Sequence, residues 1–478
     1  MKQKLTNKTI SSWFTEHADI SCRNIVVAQT ELFVFYIDCL IDKNYLSQSV
    51  FAPLLKLKAV TKKQISSLLS ACDVSEISSK EDIINKILNG CAIILINNDD
   101  SAIAVSATNY STRSISEPPT SQVTKGPREG FVEDLSINLS LLRRRIKSAN
   151  LSVEKLVVGK QTQTKIAVVY LNNIADKKLI KTITSKLKTI NIDGIIDSYY
   201  IESLLEEGNQ PFLRRLGNSE KPDVIASRIL EGRVALVVDG SPIVLTAPFM
   251  LIEDLQSPED YYSIPPKATF VRVIRLIGLI LGFLLPGIYV ALQSFHYKVL
   301  PINFLVTLLS SIQGISFPPL IEILFVLFLF DILAEASARM PKLLGMALSI
   351  IGALVLGETT VSAGIISPPS IVVVAISSIM LFIVPDQVQQ VSLLRILFTV
   401  IGGIAGFYGL LMGFITLTTY LISTNGYGVP LLCPIAPSIK NDKQDAIVKK
   451  PLASITKRPL SISTKNKTRF KPREKNYE

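Results

Sequence analysis

The chain has 478 residues, a mean hydropathy of +0.38 and a formal charge of +11 at pH 7. Hydropathy that high excludes an ordinary soluble globular protein, and its uneven spread implies a soluble part joined to a membrane part. The charge sits mainly at one end: residues from Lys440 onward carry a net +8 and residues 271–439 a net +1, leaving +2 for residues 1–270, so no nucleic-acid-binding domain is implied.

The five cysteines (Cys22, Cys39, Cys72, Cys91, Cys433) lack CxxC spacing. With two histidines in the chain, that argues against a zinc site and against a disulfide framework. The N-terminus is basic but has no apolar run of the kind a cleavable signal peptide needs. The soluble part is therefore expected in the cytoplasm.

In chain order, residues 1–105 read as an α/β subdomain. Leu32–Asp42 is an apolar strand-like run ending in aspartates, and Lys80–Val105 reads as a helix stopped near Gly90, a strand, a turn and a second strand. The layout recurs after a polar linker, 106–125. Lys165–Lys177 parallels the first run, with Tyr170 where Tyr36 was and Asp176 where Asp42 was. Val224–Leu245 parallels the second, with Gly232 matching Gly90. Two copies of one α/β unit are expected. The second, 126–256, opens with GPREGFVEDLSINLSLLRRRI, an amphipathic helix with Phe131, Leu135, Leu139, Leu142 and Ile146 on one stripe. Its Arg143, Arg144 and Arg145 fit either a solvated face or a docking helix that meets a neighbouring subunit or anionic lipid.

A connector, 257–270, leads into a helical membrane domain, 271–439. Pro286-Gly287 interrupts the first apolar span and predicts a kink, because proline removes a helix hydrogen bond. Arg272 and Arg275 before that span put the soluble domain on the cytoplasmic side. Ile302–Ile315 is too short to cross, two central runs flank Arg339, residues 370–385 are marginal, and residues 394–422 can span with tilt. The basic tail from Lys440 is expected to be disordered and cytoplasmic. With both ends inside, four or six crossings fit.

The chain has no phosphate loop, dinucleotide fingerprint, HExxH or nucleophile motif, so neither an enzyme nor a bound cofactor is expected. The unusual groups are charges inside apolar runs: Asp331, Glu335, Arg339 and Glu358. Such groups are costly in a bilayer and usually face a bundle interior, a partner or a water path. A pore-facing or inter-subunit role stands beside local pairing, such as Glu335 with Arg339. Asp331 has no cation nearby in sequence. Glu322, near the start of its run, can snorkel to the interface.

Several stretches together resemble the A subunit of GerA-type spore germinant receptors of Bacillus and Clostridium. They are Tyr36–Asp42, Gly126–Ile146, Ile229–Pro242, Glu259–Tyr262, Pro286–Leu292, Phe330–Lys342 and Leu356–Ser367. The resemblance spans roughly residues 15–440. It implies a multi-pass protein of the spore inner membrane with two related cytoplasmic subdomains, acting with a transporter-like, nutrient-sensing B subunit and a C-subunit lipoprotein. It also implies a homo-oligomer forming a nutrient-gated cation channel. Two departures stand out. Ser219–Asp223 reads SEKPD where the family has TERPD, and Ala334 replaces a family arginine beside Asp331 and Glu335. A non-conducting scaffold and, less well supported for want of an inverted repeat, a secondary transporter are the alternatives.

Overall fold

The computed structural model describes all residues except 1–4, 15–18, 58–60, 70–72, 97–98, 109–124, 207–211, 342–344, 346–351, 353–354 and 471–478. Most of the polar linker and the early part of the second central apolar run thus lie outside the described residues. The chain divides into two compact units. One comprises Met1–Met250, Gly426–Val429 and Pro451–Glu478; the other comprises Leu251–Asn425 and Pro430–Lys450.

The first unit holds two five-stranded sheets. Strands β1 (Ile20–Val27), β2 (Thr30–Ile37), β3 (Val74–Ile77), β4 (Cys91–Ile96) and β5 (Ala102–Ser106) lie in the order β1-β2-β4-β5-β3. Strands β6 (Leu151–Val158), β7 (Thr164–Leu171), β8 (Gly217–Ser219), β9 (Val234–Val238) and β10 (Val244–Ala247) lie in the order β6-β7-β9-β10-β8. Every neighbouring pair is antiparallel, and the two orders agree position for position.

The central strands read as unbroken apolar runs because both their faces are covered. In β7, Ala167 and Val169 enter one core while Ile166, Val168 and Tyr170 enter the other. The paired sequence landmarks occupy matching places. Asp42 and Asp176 each cap the helix after the second strand, accepting from Asn44 N at 2.9 Å and Lys178 N at 3.0 Å. Gly90 and Gly232 follow the helices Lys80–Leu88 and Pro222–Leu230 with φ of +81° and +101°, a conformation that favours glycine.

The tail departs from expectation. As far as Phe470 it is folded rather than disordered: Lys449 is buried in the second unit, while Ile455, Arg458 and Ile462 are buried in the first. Its lysine-rich composition hid a sparse apolar pattern and an arginine that bonds main-chain carbonyls.

The second unit is helical. We number its main helices α1 (Pro265–Ser294), α2 (Ile302–Ile312), α3 (Pro319–Arg339), α4 (Pro368–Leu381) and α5 (Val388–Ser423). Among the described residues two stretches, Pro265–Ser294 and Pro385–Ser423, are long and apolar enough to cross a membrane, fewer than the several spans expected. The 21-residue α3 carries four charges, and α2 and α4 are short.

The helix α1 continues through Pro286. The break in helical geometry falls instead at Gly406 in α5, where φ is +59° and ψ −150°. Beyond it the chain folds back: a Cβ on Gly413 would lie 3.3 Å from Phe398 and 3.4 Å from Ile401, residues that a straight helix would place far away. The segments 388–405 and 407–423 are therefore antiparallel arms of a hairpin.

Other contacts fix the remaining directions. Gly278 meets Ile383 and Ser377 Oγ donates to Gly282 O at 2.7 Å, so α1 and α4 are antiparallel. Gly403 meets Leu320 while Asp331 pairs with Arg395, so α3 opposes the first arm of α5. Gly345 and Gly352 lie against Ser337 and Leu333. The unit's entry and exit lie together. Leu251 N donates to Leu431 O at 2.9 Å, and Arg272 binds Asp260 Oδ2 at 2.9 Å and Asp445 Oδ1 at 3.0 Å.

Candidate functional site

In the helical unit several polar side chains are buried beside an apolar core while many large apolar ones face outward. Glu322, Arg272, Arg395, Ser367 and Ser377 are buried, whereas Phe270, Ile302, Phe328, Ile379, Ile404 and Tyr408 are each more than 60% exposed. A surface of that kind calls for an apolar medium or a partner.

At the centre of the unit Arg395, on the first arm of α5, is 1% exposed. Its Nη2 donates to Asp331 Oδ1 at 2.6 Å and its Nη1 to Ser378 Oγ at 2.9 Å. Asp331 is thus neutralised, and by a cation 64 residues away that its local sequence could not reveal. One guanidinium ties three helices. A planar fork suits that task better than a lysine ammonium would.

Glu335 and Arg339 pair at 2.5 Å one turn apart and remain 64% and 80% exposed at their side chains, so this pair is local. Glu358 is also exposed. The structure therefore leaves Glu335, Arg339 and Glu358 on the outside of the unit and ties the partly exposed Asp331 to the buried Arg395. It does not gather the four into one cluster.

Glu322 does not snorkel. It is 2% exposed, and its Oε1 accepts from Ser367 N and Ser367 Oγ, both at 2.7 Å, with Ser370 Oγ 2.9 Å from Ser367 Oγ. Glu322 lies in the first turn of α3 and Ser367 is the N-cap of α4. Two helix N-termini converge on one carboxylate, which their dipoles stabilise. Sequence reading missed this group because the Ser-Pro-Pro that supplies its donors lies 45 residues on.

Gly287, paired with Pro286 as a kink candidate, serves a close helix crossing. A Cβ there would sit 2.5 Å from Phe398 O, and one on Gly402 would sit 2.4 Å from Gly287 O. Backbone meets backbone at this point.

In the first unit the three arginines of helix Leu135–Arg145 separate. Arg143 is neither solvated nor free for lipid: it is 1% exposed and bidentate to Asp19, Nε to Oδ2 at 2.8 Å and Nη2 to Oδ1 at 2.9 Å. It joins the second subdomain to the first. Arg144 and Arg145 sit 3.8 and 2.8 Å from Glu129 and stay partly exposed. Beside the buried pair, burial and then the Asp19 charge push the Cys39 thiol up to about 12, which leaves it inert. Among the described residues no group of three or more His, Cys, Asp or Glu is placed to hold a metal ion.

Residues 8–461 match the family profile of the Bacillus/Clostridium GerA spore germination protein. Spore germination protein KA of Bacillus subtilis (strain 168) is 36% identical over 462 residues, covering 95% of this chain and 85% of its own. Spore germination protein GerLA of Bacillus cereus is 30% identical, covering 96% of this chain and 94% of its own. Among solved structures, the N-terminal domain of the A subunit of the Bacillus megaterium spore germinant receptor GerK3 aligns at 27% identity with a TM-score of 0.40, over 52% of this chain and 97% of that one.

Proposed function

Since the chain belongs to the GerA spore germination protein family, as an A subunit of a germinant receptor, we propose that it oligomerises in the spore inner membrane into a nutrient-gated cation channel. It works there with a transporter-like B subunit that senses the nutrient and with a C-subunit lipoprotein. The observation that carries this reading is the outer surface of the helical unit, which exposes many large apolar side chains yet bears Glu335, Arg339 and Glu358. Lipid solvates the apolar part and not the charges, so these exposed charges need a neighbouring subunit or a water-filled path.

The antiparallel directions of α1 and α4, of α3 and the first arm of α5, and of the two arms of α5 fit an even number of crossings. Both ends of the chain then lie on the cytoplasmic face.

A second reading, a non-conducting scaffold that clusters the nutrient sensor, is favoured by the neutralisation of Asp331 by Arg395. A cancelled charge offers little to a passing cation. Cation flux through lipid vesicles containing the assembled receptor separates the two, with wild type beside Glu335→Gln/Arg339→Gln and Asp331→Asn. A channel conducts on addition of nutrient, and removing the outer pair alters its conductance. No nutrient-dependent flux in any preparation that retains assembly would sink the channel reading and leave the scaffold.

A further inference from the structure

The two α/β subdomains fill an equivalent slot with different pieces of chain. In the first, Thr108, just past β5, forms an antiparallel bridge with Ile41 and packs its methyl over Gly90, 3.0 Å from where a Cβ would be. In the second, the positions matching Ile41 and Gly90 are Ala175 and Gly232. Here the chain past β10 leaves at Met250 for the helical unit and does not return locally. The slot is taken instead by Thr464 from the C-terminal tail. Thr464 bridges Ala175 in the same antiparallel sense and sets its methyl over Gly232, 2.5 Å from a would-be Cβ.

The tail is fixed on both sides of that threonine. Lys465 N donates to Ile174 O at 2.9 Å, and Lys465 Nζ to Asn172 O at 2.6 Å. Arg458 Nε donates to Leu230 O at 2.8 Å, and its Nη1 closes the tail's own loop on Asn466 O at 3.1 Å. Ile462 is 2% exposed. Most of these bonds run to main-chain carbonyls, as in recognition of an extended peptide by strand addition.

We propose that the groove formed by Asn172–Ala175, Leu230 and Gly232 is a peptide-binding site that takes an extended segment of the form Ile-Ser-Thr-Lys, and that residues 455–468 of this chain occupy it in cis. The tail thereby completes the second subdomain. The slot takes a side chain no larger than threonine with a free N–H one residue later: a larger group meets Gly232, and a proline at 465 removes the donor to Ile174 O. The covalent link raises the local concentration of the segment, so its intramolecular docking outcompetes a free peptide of the same sequence.

The test uses the whole chain in detergent, truncated after Lys450, with a fluorescent synthetic peptide of residues 451–470. The peptide is expected to bind the truncated chain, to bind the intact chain at least tenfold more weakly, and to lose binding when it carries Lys465→Pro. Equal binding to the truncated and intact chains, or no loss with the proline peptide, would overturn the proposal. Should the truncated chain not fold, intact chain with Thr464→Trp or Lys465→Pro serves under limited trypsin digestion. Cleavage within 457–469 is expected to quicken at least tenfold while the rest of the first unit resists. Unchanged cleavage there also overturns it.

Discussion

At the scale of single residues, Arg143 separates what sequence can and cannot tell. Its helix, its N-cap Asp134 and its apolar stripe are legible from spacing, and Asp134 Oδ1 accepts from Ile137 N at 2.9 Å. That the first of three consecutive arginines is buried is not legible, because its partner Asp19 lies 124 residues earlier in another subdomain. Breaking a buried pair from one side strands the other charge, at about 3–5 kcal/mol. Arg143→Ala should lower the stability of the intact chain in detergent by that order, measured by thermal unfolding. The double substitution Asp19→Leu/Arg143→Met, which leaves no stranded charge, should recover most of the loss. Equal losses in the single and double variants would mean that packing, not charge, holds the subdomains.

At the scale of elements, the α/β repeat was readable because strand alternation and aspartate caps are local signals, and they recur at matching places in both sheets. The helical unit was harder. Its apolar runs show which segments are helices but not which face meets which. Proline drew attention to 286, while the sharp turn fell to Gly406, the residue that tolerates a left-handed φ. The glycines of α5 were legible as a means of close approach, though the partner backbone was not. The crossing of α1 with α5 makes a clear prediction. A side chain on Gly402 meets the Gly287 main chain at 2.4 Å, which no rotamer change relieves. Gly402→Val should therefore push the helices apart and cost about 3 kcal/mol or more, as overpacking at its severe end does. Gly357→Ala, where an added Cβ meets nothing within 4 Å, should stay within about 0.5 kcal/mol of wild type. Comparable thermal shifts for the two would refute a backbone-limited crossing.

At the scale of the whole molecule, the hairpin at Gly406 sets how the proposed membrane topology is tested. Hydropathy alone takes residues 385–423 as one long apolar helix, and a single pass there would put Asp386 and Asn425 on opposite faces of the membrane. The fold-back at Gly406 puts them at the same end of the hairpin. The burial pattern agrees: Phe398, Leu410 and Phe283 share one cluster, with Phe414 and Leu417 packed against it, which two arms side by side allow and one straight rod does not. Single cysteines placed in an otherwise cysteine-free chain would decide the matter with a membrane-impermeant maleimide added from either side of oriented vesicles. Asp386→Cys, Asn425→Cys and Asp442→Cys should label from the cytoplasmic side. Ser316→Cys and Tyr408→Cys should label from the other. Labelling of 386 and 425 from opposite sides would remove the hairpin and one crossing with it, and the two chain ends could no longer share a face. The pattern predicted here also explains why α4 can be as short as 14 residues. Its α-helical part spans only about 21 Å, and the turns at 382–387 carry the chain to the end where Gln387 Nε2 donates to Asp254 Oδ2 at 2.5 Å, beside the unit's entry. In the proposed topology a pass that short packs against α1 along the Gly278–Gly282 face.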